Sequence, residues 1–178
     1  VIVENITLDH LGDIEGVDVT DAEDDIASTT TLTDVDVNSS TSNGVVVDFS
    51  GKGVNSYDQL TLDNVEASNA STGVLIDLNG ASLESTPSLT NVNATDNTGT
   101  GLSIDNFGIS DTVTIGSSST QYNFSNNGAD GINVGSSTNI DTLEVTNVLV
   151  DDNSNQAIDV DPSSISTVEV SNVDAASS

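Results

Sequence analysis

Four aspartates follow the same kind of strand-like triplet. They are Asp48 after Val45-Val46-Val47, Asp77 after Val74-Leu75-Ile76, Asp105 after Leu102-Ser103-Ile104, and Asp161 after Ile158-Asp159-Val160; Gly135 interrupts the series after Ile132-Asn133-Val134. Carboxylates are hard oxygen donors, and Ca2+ gathers about six to eight oxygens. If these triplets are neighbouring parallel strands, successive carboxylates stand about 4.8 Å apart. Two like charges at that distance repel by about 0.9 kcal/mol in water and by several times more at lower dielectric. A stacked acidic column therefore needs counterions or a bound cation, and Ca2+ is the ion its oxygens suit. Asp24 and Asp25 in Asp21-Ala22-Glu23-Asp24-Asp25, and Asp151 and Asp152 in Asp151-Asp152-Asn153, offer further oxygen-rich turns.

Other chemistry is thinly provided. The chain has 29 acidic residues, one basic residue (Lys52), one histidine (His10) and no cysteine, for a net charge of −28. There is thus no thiolate metal site, no disulfide, and no second histidine to complete a metal set or a triad. Paired carboxylates could in principle hydrolyse a glycosidic bond. A sugar cleft is usually paved with aromatic rings, however, and only Phe49, Tyr57, Phe107, Tyr122 and Phe124 are present. The expectation is a protein that is not an enzyme. An anionic surface repels phosphate backbones and anionic headgroups, so nucleic acid is excluded as a partner. No apolar run is long enough to span a bilayer, which argues against membrane insertion.

The elements that would position these acids are legible as a repeat. A small residue followed by alternating β-branched residues opens at residues 16, 44, 73, 101, 131 and 157, in steps of 28, 29, 28, 30 and 26. Periods of this length mark stacked solenoid units. Upstream of each lies a second signature, as in Leu60-Thr61-Leu62-Asp63-Asn64-Val65-Glu66-Ala67 and Val168-Glu169-Val170-Ser171-Asn172-Val173-Asp174-Ala175. At 34% hydrophobic and 3% aromatic the composition alone would suit a disordered chain. The strict patterning of the apolar residues overrides it.

Because alternate strand residues face one side, three inward columns are predicted. They are Val17, Val45, Val74, Leu102, Ile132, Ile158; then Val19, Val47, Ile76, Ile104, Val134, Val160; and Val35, Val65, Val92, Phe124, Val148, Val173. The fold expected is all-β: a right-handed parallel β-helix (solenoid) of about six coils of roughly 28 residues, with three short strands per coil. Between two strands of each unit falls a bend residue, read as His10, Asp34, Asn64, Asn91, Asn123, Asn147 and Asn172. Asn tolerates left-handed backbone better than other non-Gly residues, and Asn64, Asn91, Asn123, Asn147 and Asn172 would form an amide ladder along the axis.

With these columns and Asn bends the chain resembles the parallel β-helix repeat (pectin-lyase-like) family. In character it is most similar to autotransporter and filamentous adhesin passengers and to acidic archaeal or bacterial surface proteins. The resemblance implies the fold over residues 6 to 175 and a location outside the cell or at its surface. Family members that cleave acidic polysaccharides use Arg or Lys as base; this chain has no Arg, and Lys52 stands in the turn Ser50-Gly51-Lys52-Gly53.

Residues 1–178 read as one domain, a processed or excerpted part of a longer chain or a stacking subunit, because Val1-Ile2-Val3 and Val168-Glu169-Val170 read as strands at both ends. Two roles follow: a structural stalk or head-to-tail filament unit stabilised by cations, or a glycan- or receptor-binding module assisted by Ca2+. For the second, the insertion from Asn106 to Gln121 is the expected binding face; a carboxylate-based polysaccharide hydrolase ranks below both.

Overall fold

A computed structural model gives the three-dimensional structure and describes residues 1–12, 15–20, 29–49, 57–78, 82–83, 87–106, 112–136 and 139–175. Every regular element among them is a strand. Six short strands, β2 (Val17–Thr20), β4 (Val45–Asp48), β6 (Val74–Asp77), β9 (Leu102–Asp105), β12 (Ile132–Val134) and β14 (Ile158–Val160), form one six-stranded sheet. The longer strands are β1 (Ile2–Gly12), β3 (Thr29–Ser40), β5 (Tyr57–Ser68), β8 (Ser88–Thr95) and β13 (Asn139–Leu149), ending with β15 (Ser164–Asp174). At the fifth level the long strand is split into β10 (Thr112–Gly116) and β11 (Tyr122–Asn123), and a short β7 (Ser82–Leu83) pairs with β5. All pairings among the described residues are parallel, and equivalent residues of successive levels lie about 28 apart. It is a parallel β-solenoid.

The first two inward columns stand as the alternation predicts. Val17, Val45, Val74, Leu102, Ile132 and Ile158 are successive register partners, as are Val19, Val47, Ile76, Ile104, Val134 and Val160. All are buried except Ile158 and Val160, which lie half-covered on the last short strand. Each aliphatic side chain removed from water contributes about 1.5 to 3 kcal/mol. No level can bury its own face, so stability comes from stacking.

The third column needs one correction. Val35, Val65 and Val92 are partners, and so are Val148 and Val173, but the residue opposite Val148 is Tyr122, not Phe124. Between Gly116, opposite Thr146, and Tyr122, the fifth level spends residues 117–121 where the sixth spends only Asn147. Tyr122 buries its ring and donates its hydroxyl hydrogen to the Leu89 carbonyl oxygen at 2.8 Å. Phe124, two residues on, is buried one inward position further along.

Each long strand turns a corner partway, which supplies the third face without a third separate strand. The corner residues have left-handed φ: Asn5 (55°), Asp34 (52°), Asn64 (55°), Asn91 (50°), Asn147 (54°) and Asn172 (49°). Two predicted bend residues are displaced. In the first level the corner is Asn5, not His10, because Glu4 and Ile6 pair with Thr33 and Val35 on either side of Asp34. Asn123 lies past the corner, in β11 opposite Leu149, because residues 117–121 occupy the corner position of that level.

Candidate functional site

The acidic column is in register as far as the sheet allows. Asp48 pairs with Asp77 and Asp77 with Asp105. The Asp161 N–H donates to the Val134 carbonyl (3.0 Å) and the Gly135 N–H to that of Ile104 (2.9 Å), which places Asp161 at the level after Gly135. The break at Gly135 has a steric cause: a Cβ there would fall 2.0 Å from Asp105 Oδ1, so the Asp105 carboxylate leans across the space that a side chain would fill.

Two of these carboxylates accept hydrogen bonds from uncharged local donors. Asn106 Nδ2 donates to Asp77 Oδ1 (2.8 Å), and the Ser103 hydroxyl donates to Asp105 Oδ2 (2.8 Å). Hydrogen bonds of this kind stabilise charged acceptors more than neutral ones. Among the described residues no three His, Cys, Asp or Glu side chains converge as a metal site would require. The column is a line of stacked single carboxylates.

Asp151 and Asp152 have a structural place the sequence reading did not give them. Asp152 (φ 53°) belongs to a second left-handed corner with Asn69 (55°), Asp96 (58°) and Asn126 (59°). The Asp151 N–H donates to Ser125 Oγ at 3.0 Å. Asp24 and Asp25 lie outside the described residues, as does Lys52.

Of the predicted corner ladder, the bonds Asn64 Nδ2 to Asp34 Oδ1 (2.7 Å), Asn91 Nδ2 to Asn64 Oδ1 (2.6 Å) and Asn172 Nδ2 to Asn147 Oδ1 (2.6 Å) are formed. Asn123 takes no place in it; its N–H donates instead to Asn93 Oδ1 at 2.8 Å.

A second amide ladder went unforeseen. It follows the second corner, through Asn97, Asn127 and Asn153, and Asn97 and Asn127 are buried. Asn97 Oδ1 accepts from the Ala70 N–H (2.9 Å), Asn127 Oδ1 from the Asn97 N–H (3.1 Å), and Asn153 Oδ1 from the Asn127 N–H (3.0 Å). Their Nδ2 groups donate to the carbonyls of Ala67, Ala94 and Val150. The signal was an Asn four residues before the small residue that precedes each short strand, at Gly101, Gly131 and Ala157.

One open groove lies apart from the expected binding insertion, Asn106 to Gln121, of which residues 107–111 fall outside the described residues. It has a volume of about 330 Å³ and is lined by Glu66, Ala67, Ser68, Asn93, Thr95 and Asn123. Its walls offer one carboxylate, two amides and two hydroxyls, groups that suit a polyhydroxylated ligand. Asn123 Oδ1 is buried without a hydrogen-bond partner. Elsewhere, the Ser42 hydroxyl donates to Glu15 Oε1 (2.8 Å) across neighbouring levels and holds that exposed carboxyl below the ordinary glutamate range.

Among the described residues the exposed large aliphatics are Val1 (57% exposed) just before β1, Ile2 (71%) on β1, and Val168 (46%) and Val170 (54%) on β15. No protein-family model, no curated protein and no solved structure matches the chain.

Proposed function

We propose that this chain is a non-catalytic structural unit of an extracellular or cell-surface assembly, a solenoid rod that lengthens by end-to-end association of copies while cations screen its acidic walls. The observation that carries this reading is the unbroken stacking of two inward aliphatic columns through all six short strands, a core that grows by the addition of levels. The near absence of basic residues favours this role over polysaccharide cleavage.

Sedimentation velocity against protein concentration is the test. The wild-type chain should polymerise, and Val170→Glu, at a site exposed in the single chain, should remain monomeric with an unchanged far-ultraviolet spectrum. A wild type that stays monomeric at all concentrations removes the reading. Screening is tested separately: the melting temperature should rise from EDTA at low ionic strength to millimolar calcium or high sodium chloride. An unchanged value contradicts the counterion argument.

The groove beside Asn123 favours a second reading, a calcium-assisted glycan- or receptor-binding module. Oligosaccharide binding that is lost in Glu66→Gln and Asn93→Ala, and retained in Val170→Glu, would select it over the filament unit.

A further inference from the structure

We infer that the groove at Glu66, Asn93 and Asn123 takes a sugar unit bearing a protonated amine, with the ammonium at Glu66 and the ring hydroxyls at the amide and hydroxyl side chains beyond it. This rests on the groove reading above and names the ligand class for it.

The groove lies where the cornered face loses its main-chain pairing. β5 runs in register with β8, so that Glu66 pairs with Asn93 and Ser68 with Thr95. Among the described residues no ladder joins β8 to β10 or β11, although both of those strands pair with β13. Side chains bridge the gap instead: the Tyr122 hydroxyl donates to the Leu89 carbonyl and the Asn123 N–H to Asn93 Oδ1, both at 2.8 Å. Asn123 Oδ1 stays at this seam buried and without a partner, an acceptor that the fold itself does not satisfy.

The polar groups are graded along the axis. Asp36, Glu66 and Asn93 are successive register partners, and Asn123 is the partner of Leu149. Past the groove lining the column therefore continues to a second carboxylate on one side and to an aliphatic side chain on the other. The hydroxyls of Ser68 and Thr95 run along the flank. Asp36 and Glu66 stand on strands about 4.8 Å apart, and an ammonium beside them replaces like-charge repulsion with attraction.

Size and lining narrow the ligand. At about 330 Å³ the groove is at the small end of the range of about 300 to 1,000 Å³ for small-molecule sites, which suits one or two sugar rings. Among the described residues no aromatic side chain lines it, so ring stacking is not what would hold a sugar here. A charge-assisted hydrogen bond, about twice as strong as a neutral one, takes that place. The net charge of −28 draws cations and repels uronic or sulfated sugars.

Isothermal titration calorimetry in EDTA at about pH 6, with the amines protonated, tests this with D-glucosamine, N-acetyl-D-glucosamine, D-glucose and ethanolamine as probes. Glucosamine should bind one per chain. The two uncharged sugars, which lack the ammonium, and ethanolamine, which lacks the ring, should each bind at least about tenfold more weakly. Glu66→Gln, at an exposed side chain, should remove the preference for the amine, and Thr95→Ala should weaken glucosamine while leaving ethanolamine unchanged. Equal binding of glucosamine and ethanolamine, in the wild type and in Thr95→Ala alike, is diffuse counterion attraction and overturns the inference. Tighter binding of the uncharged sugars, or binding that needs calcium, overturns the amine assignment and leaves the groove reading standing. If no probe binds, the inference fails; the groove reading fails with it when oligosaccharide titrated in calcium is silent too.

Discussion

The two asparagine ladders are built from one residue type at neighbouring corners of the same coil, and they do different work. The outer ladder, Asn64 and Asn91 in one run and Asn147 and Asn172 in another, is exposed or half-buried and is broken at the fifth level by residues 117–121. There Gly116 takes up a positive φ of 100°, and the solenoid continues. The inner ladder of Asn97, Asn127 and Asn153 runs through that level without a gap. Its amides accept backbone N–H groups at places where no strand pairing does so. Water can replace the outer bonds. For the buried inner ones no substitute is at hand, and a buried unsatisfied N–H costs about 1 to 3 kcal/mol. The outer asparagines are thus chosen mainly for backbone conformation, and the inner ones for their side-chain atoms.

The largest expected effect calibrates this comparison against the core. Ile104→Asp puts a charge into a full inward column and should abolish folding, whereas Ser103→Asp on the outward face should fold with a small loss; circular dichroism and melting distinguish them, and equal tolerance would refute the strand facing. Next comes Asn127→Ala, which leaves the Asn97 N–H and the Ala94 carbonyl unpaired and should cost about 3 to 5 kcal/mol in urea unfolding. At the outer ladder, Asn64→Ala should cost only about 1 to 2 kcal/mol through its left-handed backbone, and Asn64→Gly less than Ala. If Asn64→Gly proved as damaging as Asn127→Ala, the division of labour between the ladders would be wrong. The smallest effect runs the other way. Thr30 is buried in register with Leu60, and its hydroxyl has no partner. Thr30→Val should therefore stabilise the fold by about 1 kcal/mol, because a buried polar group helps only when it is satisfied.

The aliphatic columns were legible because β-branched alternation at a fixed period admits one stacking. The Tyr122 and Phe124 assignment was not, since both rings sit at inward-facing positions and only the length of the 117–121 detour decides which meets Val148. Asn5 was readable in principle: Val1-Ile2-Val3-Glu4-Asn5-Ile6 has the form of Val168-Glu169-Val170-Ser171-Asn172-Val173. The short connection before Gly16 obscured it and drew the bend to His10. Asn97, Asn127 and Asn153 were hidden among Ser, Thr, Asp and Gly, where asparagine ordinarily marks a solvated turn; their burial is a product of stacking. The acidic column was visible as spacing, whereas its donors Ser103 and Asn106 belong to geometry.

Electron microscopy of the isolated chain at rising concentration tests most directly whether the stacked columns extend beyond one molecule. Rods of constant width that grow in length, with an axial spacing near 4.8 Å between strands, are the predicted result. Particles of a single short length at every concentration and salt would contradict it.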